Sequence, residues 1–204
     1  MIWTRGKTLG SGGSSMVSLA TVVSPTTNGL PSVMAVKSAP IYESYLLCKE
    51  RELHSKFEGC PYVLCCSGDD ITMDAEGEHW CNIWLEYAAG GSLTDRIQSF
   101  GRGLPESENI LLVDTNDDLS MSVSGNRRRV KESIAKIADR GLAKKAGQRQ
   151  KGKGRLRGST LYMAPESIQD EQYDSHTDIW ALGCTVLQMM ASKEPWECDQ
   201  IQKE

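Results

Sequence analysis

Hydrophobic and polar positions alternate through the first part of the chain, which predicts β-strands. Residues 16–23 and 33–37 are rich in β-branched side chains, and residues 24–29 between them have the composition of a turn. We expect these two strands to form a hairpin. Residues 62–66 and 81–87 predict two more strands, separated by a polar loop.

A helical period replaces this alternation between residues 42 and 57. Apolar side chains recur there every three or four positions among charged ones, which predicts an amphipathic helix. If Glu50 faces the strands, Leu53 and Phe57 share its face and turn towards the core, whereas an inward Glu52 does not bring them there. We therefore expect Glu50 on the inner face.

Further elements are predicted in the second half of the chain. Ser92 can cap a short helix that runs to residue 100. Residues 109–113, Asn-Ile-Leu-Leu-Val, and 136–138, Lys-Ile-Ala, bracket a polar, arginine-rich stretch. Residues 178–190 are apolar around nearly the whole helical circumference, so this last helix belongs in a core, where other helices cover it.

The composition is that of one ordinary globular domain. Of the 204 residues, 39 % are hydrophobic, and no apolar stretch approaches the roughly 18 to 20 residues that a membrane span requires. The N-terminus lacks the pattern of a secretory signal. We therefore expect a soluble protein without a membrane span.

Cysteine and histidine usage points to a reducing compartment and away from metal binding. The seven cysteines are odd in number and include no Cys-x-x-Cys pair, which fits free thiols better than disulfides or a zinc site. We expect a cytoplasmic location, with the nucleus as a second one. The three histidines lie in unrelated parts of the sequence and indicate no metal site.

The net charge of −4 is unevenly distributed. Residues 126–157 contain thirteen Lys and Arg against two acids, a net charge of +11, which leaves about −15 for the rest of the chain. Such a stretch is typical of a solvated, mobile loop, and it could also be a docking surface for an acidic or phosphorylated partner. Nucleic acid is disfavoured as a partner because no aromatic side chains interleave with the charges.

Four short motifs carry the candidate chemistry. Residues 10–17, Gly-Ser-Gly-Gly-Ser-Ser-Met-Val, form a glycine-rich turn, and Ala-Val-Lys at 35–37 lies in the following strand. Asp-Arg-Gly at 139–141 and Ala-Pro-Glu at 164–166 come later. Glycines let a backbone approach phosphates closely, although such turns are also common in ordinary hairpins. Lys37 by itself could equally be a solvated strand residue.

Taken in this order, the motifs resemble those of a protein kinase. Leu-Glu-Tyr-Ala at 85–88, Gly-Leu-Pro-Glu-Ser at 103–107 and Leu-Tyr-Met-Ala-Pro-Glu-Ser at 161–167 are similar to the plant mitogen-activated protein kinase kinase kinases. The resemblance implies an α+β fold in two lobes and a serine/threonine kinase that phosphorylates proteins in a signalling cascade, with ATP and Mg²⁺ as cofactors. A small β-rich lobe with one helix would span residues 1–86, a hinge 87–92, and an incomplete, mainly helical large lobe 93–204.

The resemblance also implies roles for individual residues. Lys37 would hold the ATP phosphates and Glu50 would hold Lys37, while Asn109 and Asp139 would ligate Mg²⁺. The nucleotide site would contain Leu9, Gly10, Gly12, Val17, Ala35, Lys37, Glu86 and Ala88. The activation segment would include Ser159, facing the substrate hydroxyl, with Thr160 beside it and Glu166 as its anchor.

One part of the kinase pattern is absent. Residues 104–108 run directly into Asn109, where the family has a long helix followed by His-x-Asp-x-Lys. The general base and the lysine of that segment are therefore missing. Loss of the helix would also leave the apolar helix at residues 179–190 partly uncovered. The remaining helices of the large lobe are also expected to be missing, because the sequence stops at residue 204.

A second departure concerns Arg140, which replaces the phenylalanine of Asp-Phe-Gly. His54 stands where the family has an apolar side chain that touches this phenylalanine. Because an unpaired buried arginine carries a desolvation cost of several kcal/mol, we expect Arg140 to swing outward.

These departures leave three hypotheses open. The sequence could be an incomplete version of an active kinase, through a skipped exon or a faulty gene model. It could be a non-catalytic pseudokinase or ATP-binding interaction module. It could also be a decayed fragment that folds poorly.

Overall fold

A five-stranded antiparallel sheet dominates the first half of the chain. The computed structural model describes residues 2–24, 31–98, 109–123, 126–143, 158–170, 172–191 and 195–196. The strands of the sheet are Ile2–Ser11 (β1), Met16–Ser24 (β2), Val33–Pro40 (β3), Cys66–Met73 (β4) and His79–Leu85 (β5), in the spatial order β1-β2-β3-β5-β4. The predicted hairpin of β2 and β3 is confirmed, and most of its turn lies outside the described residues.

The two faces of the sheet have different roles because side chains alternate along each strand. On one face, buried apolar residues pack with a helix into a core that consists of Ala35, Ala39, Leu47, Leu64, Ile83, Leu85 and Ala138. Lys37 lies between two of these positions on β3 and therefore projects from the same face. The opposite face carries a smaller apolar cluster of Ala20, Met34, Val36 and Trp84.

A polar network on this second face joins strands from both edges of the sheet. Asn82 of β5 is fully buried, and its side chain donates to Asp70 at 2.9 Å and accepts from Ser38 at 2.6 Å. The indole of Trp3 on β1 donates to Asp70 of β4 at 3.0 Å. Since β1 and β4 are the two edge strands, the sheet is strongly curled, which extends the right-handed twist of ordinary sheets.

The predicted helix is present as Tyr45–Lys56 (α1), after a short 3₁₀ turn at Ile41–Glu43. Its buried residues are Leu47, Glu50 and His54. Glu50 therefore faces inward as expected, but the expected companions were wrong. Leu53 lies about 100° around the helix from His54 and is only half-buried. Phe57 follows the last helical residue, where the backbone has left helical geometry, and is 47 % exposed.

The strand predicted at residues 62–66 is wrong in position. Residues 62–65 form no strand apart from a single bridge between Val63 and Ile137, and β4 runs instead through the expected polar loop. The polar residues of β4 are acceptable there because partners hold them: Asp69 accepts from Arg51 of α1 at 2.8 Å, and Asp70 joins the network around Asn82. Burial and pairing outweigh intrinsic strand preference here.

A second antiparallel pair consists of Ile110–Val123 (β6) and Asn126–Ile137 (β7). The arginine-rich stretch is therefore a strand up to residue 137, and the expectation of a loop there is wrong because Ile110 to Asp114 pair in register with residues 133–137. The rest of that stretch, residues 144–157, lies outside the described residues. The open end of the hairpin is attached to the first half of the chain. The N–H of Leu64 donates to the carbonyl of Ile137 at 3.0 Å, and the N–H of Gly90 donates to that of Leu112 at 3.0 Å.

These attachments make residues Met1–Gly91 and Asn109–Gly141 one compact unit, and Ser92–Glu108 with Leu142–Glu204 a second. The sequence-based division placed all of 93–204 in one lobe. The difference has a local cause: backbone hydrogen bonds at residues 62–64 and 90–91 hold the hairpin to the first unit.

The second unit contains three helices in its described part. They are Leu93–Gln98 (α2), Pro165–Gln169 (α3) and Ser175–Ala191 (α4). Ser92 caps α2 as predicted, since its hydroxyl accepts from the N–H of Asp95 at 3.0 Å and its own N–H donates to the Asp95 carboxylate at 2.9 Å. The predicted end of this helix, at residues 99–100, lies outside the described residues.

The apolar helix α4 is covered on one side only by the described residues. Cys184, Thr185 and Gln188 are buried, whereas the exposed apolar side chains are Ile179, Trp180, Leu182, Val186, Leu187, Met189 and Met190. The helix is therefore partly uncovered, as expected from the loss of a core helix. The described cover comes from short segments, for example Tyr162, whose hydroxyl donates to Gln188 at 2.6 Å. Among the described helices, none combines the length and apolar character needed to cross a membrane.

Candidate functional site

Three elements of the first unit meet at the side chain of Lys37. Its Nζ lies 2.8 Å from Oε2 of Glu50 on α1 and 2.7 Å from Oδ1 of Asp139, which follows β7. Lys37 and Glu50 are 8 % and 1 % exposed, whereas the Asp139 side chain is 54 % exposed. One buried cation thus joins a buried carboxylate to a carboxylate that solvent or a ligand can reach.

Mutual charge compensation keeps Lys37 and Glu50 ionised. Burial lowers the pKa of Lys37, but Glu50 and Asp139 outweigh it and raise that pKa above its ordinary value of 10.5. Burial raises the pKa of Glu50, but His54, Lys37 and the N–H of Arg140 together lower it below 4.5. The stability from Lys37 is therefore lost only as the pH rises through its raised pKa, and that from Glu50 only as the pH falls through its lowered pKa.

The backbone at Asp139 is strained and held on both sides. Its φ is +50°, and it is the only non-glycine residue with positive φ in the described ranges. Aspartate tolerates this left-handed conformation better than most residues do. The N–H of Ala138 donates to the carbonyl of Asn109 at 2.8 Å, and the N–H of Arg140 donates to Oε1 of Glu50 at 3.3 Å. These bonds fix the residue between them.

The bond from Ala138 places the backbone of Asn109 beside the residue that precedes Asp139, so the two predicted metal ligands are neighbours along the backbone. Amide and carboxylate oxygens are hard ligands, and Mg²⁺ is usually held by one or two carboxylates together with water and phosphate oxygens. Within the part of the chain that the structure describes, no three His, Cys, Asp or Glu side chains form a metal cluster of their own. The donor set therefore fits a Mg²⁺ ion that arrives with a phosphate.

The glycine-rich turn connects β1 to β2 and is open to solvent. Within the turn, the N–H of Gly12 donates to the carbonyl of Ser15 at 2.8 Å. A Cβ added at Gly10 or Gly13 would meet nothing within 4 Å. Packing therefore does not require glycine at these positions, which leaves close approach of a ligand as a reason for it.

The segment after β5 holds the other predicted nucleotide contacts. The N–H of Glu86 donates to the carbonyl of Cys65 at 2.9 Å, and the carbonyl of Ala88 accepts from Gly91 at 3.2 Å. Among the hydrogen bonds of the described residues, the Glu86 carbonyl and the Ala88 N–H are not used. These two groups could therefore contact a base. Of the other predicted contacts, Ala35 is buried, Val17 packs against the same core, and Leu9 is 39 % exposed.

Sequence reasoning missed one residue at this segment, Lys136. Its Nζ lies 2.7 and 2.9 Å from the two carboxylate oxygens of Glu86, which ties β7 to the end of β5. Lys136 was seen only as one charge in the basic stretch. No local pattern distinguishes it, because its partner is 50 residues away in the sequence.

Comparison with known proteins identifies the family of this chain. Residues 106–204 match the family model of the protein kinase domain. The chain is 34 % identical over 211 residues to mitogen-activated protein kinase kinase kinase 20 of Arabidopsis thaliana, with 96 % of this chain and 61 % of that protein covered. This chain belongs to the protein kinase family.

Two other relatives place the kinase chain in the same group. Mitogen-activated protein kinase kinase kinases 18 and 17 of Arabidopsis thaliana are 34 % and 30 % identical to it over 212 and 207 residues. Both alignments cover 96 % of this chain, and they cover 60 % and 54 % of the relatives. The chain thus spans less than two thirds of the length of these relatives. It is a member of the serine/threonine kinases, and its fold is kinase-like with a β-rich N-terminal part.

The kinase chain departs from its family at Arg140, and the structure contradicts the expectation that this residue swings outward. Arg140 is only 8 % exposed, and its Nη2 lies 2.6 Å from Nδ1 of His54. Its guanidinium also lies 4.9 Å from the centroid of the Phe57 ring, a cation–π contact. Burial lowers the pKa of Arg140, and the nearby Glu50 carboxylate opposes this. These contacts offset part of the desolvation cost that favoured an outward side chain.

The residues predicted for the kinase activation segment lie in the second unit. Ser159 and Thr160 are exposed, and Thr160 begins a 3₁₀ turn, Thr160–Tyr162. Glu166 lies in the first turn of α3, after Pro165 at the start of that helix. Within the described ranges Glu166 makes no ion pair.

Proposed function

We propose that this protein binds Mg-ATP in its first unit, at the cluster of Lys37, Glu50 and Asp139. The observation that carries the proposal is the pair of short contacts of Lys37, 2.8 Å to a buried carboxylate and 2.7 Å to a half-exposed one. Such a lysine is oriented by the first carboxylate and can exchange the second for a phosphate.

Each part of the nucleotide has a proposed partner. Lys37 binds the phosphates, with the glycine-rich turn at Gly10 and Gly12 beside them. The base lies between Val17 and Ala35, with Leu9 at its edge, and bonds to the Glu86 carbonyl and the Ala88 N–H. Asp139 and Asn109 hold Mg²⁺, which neutralises phosphate charge when it is bound.

We propose further that this chain transfers phosphate to protein very slowly or not at all. The sequence joins Glu108 directly to Asn109, without a His-x-Asp-x-Lys segment. Loss of a general base slows the chemistry but leaves nucleotide binding, because positioning and electrostatics are supplied by other groups. Because the relatives are mitogen-activated protein kinase kinase kinases, we propose a signalling protein in the cytoplasm or nucleus as the target. Ser159, Thr160 and Glu166 belong to the proposed activation segment.

Two alternatives make different predictions. If the sequence is an incomplete version of an active kinase, transcript reads will encode a His-x-Asp segment between Glu108 and Asn109. If the chain is a decayed fragment, the purified protein will show no cooperative thermal transition.

ATP with Mg²⁺ should raise the melting temperature of the purified chain, and Lys37→Met should weaken ATP binding about 10- to 100-fold. The reason is that one charged hydrogen bond to phosphate contributes about 1.5–3 kcal/mol. Isothermal titration calorimetry measures the affinity. Lys56→Met is the matched control, because Lys56 pairs with Glu52 on the exposed side of α1. Equal affinities of the two variants would contradict the proposal.

Radiolabelled ATP should transfer no more phosphate to a general protein substrate with the wild-type chain than with Lys37→Met. The physical reason is the absent base between Glu108 and Asn109. The measurement is incorporation of label at saturating Mg-ATP, with a catalytically complete plant relative as positive control. Label that appears with the wild type and disappears with Lys37→Met would show that the chain is an active kinase.

A further inference from the structure

A buried arginine without a hydrogen-bonded carboxylate partner for its side chain lies directly beside Asp139. Within the described residues, the only side-chain hydrogen bond of Arg140 is the 2.6 Å contact between Nη2 and Nδ1 of His54. Nε and Nη1 of Arg140 and Nε2 of His54 are buried without hydrogen-bond partners. Burying these groups is costly, so the contact that keeps them together needs a physical reason.

The contact defines the protonation of His54. A guanidinium can only donate hydrogen bonds, so Nδ1 of His54 accepts and the imidazole proton sits on Nε2. That atom is 3.9 Å from Oε1 of Glu50, one helical turn earlier on α1. His54 is therefore neutral in this arrangement. Two cations, Lys37 and Arg140, then balance two carboxylates, Glu50 and Asp139.

The same arrangement ties the residue after Asp139 to α1 at two points. The N–H of Arg140 donates to Glu50 at 3.3 Å, and its side chain reaches His54 four residues further along the helix. The backbone hydrogen bond alone would leave the chain free to rotate about it. The second bond, with the ring of Phe57 against the guanidinium, sets the direction in which the chain leaves Asp139.

We propose that Arg140 and His54 are positioning residues, which hold Asp139 in its left-handed conformation against Lys37 and Glu50. The polar contact between Arg140 and His54 thus holds Asp139 in place, as a contact between two apolar side chains could do without burying a charge. The inference rests on the proposed function, because it assigns to Asp139 the binding of a Mg²⁺–nucleotide complex. It predicts that the contact affects the part of ATP affinity that depends on Mg²⁺, and leaves the Mg²⁺-free part unchanged.

The test compares ATP affinity of the whole chain with Mg²⁺ and with EDTA, by calorimetry, in matched variants. Mg²⁺ should raise the ATP affinity of the wild type, and His54→Leu and Arg140→Met should each lose about tenfold of this Mg²⁺-dependent gain. His54→Asn, whose side-chain oxygen can accept from Arg140, should stay within about twofold of the wild type. The double variant should lose no more than either single variant, as expected for residues that act through one contact. His176→Leu is the control, since that histidine is exposed and in the second unit.

A purely structural role predicts that ATP affinity falls only together with stability, whereas a positioning role predicts that the two separate. Arg140→Met removes a buried cation instead of leaving it unpaired, so its melting temperature should equal or exceed that of the wild type while its Mg²⁺-dependent affinity falls. This variant also serves if His54→Leu fails to fold. If Arg140→Met keeps the wild-type Mg²⁺-dependent gain in ATP affinity, the positioning role is overturned and the proposed function is not. The same holds if His54→Asn loses as much of this gain as His54→Leu. A wild-type chain that binds no ATP would overturn the proposed function and this role with it.

Discussion

Glu50→Ala is expected to destabilise the chain by about 3–5 kcal/mol, the usual cost of removing one partner from a buried ion pair. Glu50 is 1 % exposed and accepts from Lys37 at 2.8 Å and from the N–H of Arg140 at 3.3 Å. Without it, two buried cations would depend on the half-exposed Asp139. Urea unfolding followed by tryptophan fluorescence measures the loss.

Glu52→Ala is the matched control on the same helix. Glu52 pairs with Lys56 at 2.7 Å, but its side chain is 69 % exposed, so the loss should stay within about 0.5 kcal/mol. Glu50→Gln adds a test of charge: its difference from the wild type should shrink as the pH falls from 4.5 through the lowered pKa of Glu50, because the carboxylate is protonated first in the unfolded and then in the folded wild type. Similar unfolding midpoints for the two alanine variants would mean that the Lys37 cluster does not support the fold.

Gly90→Ala is expected to cost about 3 kcal/mol and to weaken ATP binding. A Cβ at this position would lie 2.7 Å from the carbonyl oxygen and 2.8 Å from the Cβ of Leu112, and neither atom belongs to a flexible side-chain end. The hydrogen bonds that join Gly90 and Gly91 to Leu112 would have to open. Because the same segment carries Glu86 and Ala88, the proposed base contacts would move with it. Urea unfolding and calorimetry measure the two effects.

Gly13→Ala is the control for this change. A Cβ at Gly13 would meet nothing within 4 Å, so its effect on stability should be small or slightly favourable. If Gly90→Ala unfolds at the same urea concentration as Gly13→Ala, the contact between the 88–91 segment and β6 is looser than these distances indicate.

Much of the first unit could be predicted from local sequence patterns. The hairpin of β2 and β3 follows from alternation and turn residues. Glu50 faces inward as expected, although Leu53 and Phe57, whose spacing favoured it, do not share its buried face. The errors occur where long-range partners decide. β4 occupies a polar segment because Arg51, Trp3 and Asn82 hold its aspartates. His54 continues the buried stripe of α1 beside Arg140, and Leu53 and Phe57 lie off this stripe.

The candidate site shows the same division. Lys37, Glu50, Asp139 and Asn109 could be chosen from the order of motifs, and the structure brings all four into one unit. Their functional roles stay predictions until binding is measured. The inward turn of Arg140 could not be found from the sequence, since the expected desolvation cost ignored the acceptor on His54, 86 residues away.

By itself, the sequence determined the family, the order of the motifs and the elements with a clear hydrophobic period. These are properties of residue types at short spacing, where backbone geometry leaves few choices. Only the tertiary structure decided that Lys37 bridges two carboxylates, that Lys136 holds Glu86 and that Arg140 is buried against His54. In each case burial removes water as the competing partner, so the outcome depends on which polar group lies across the fold.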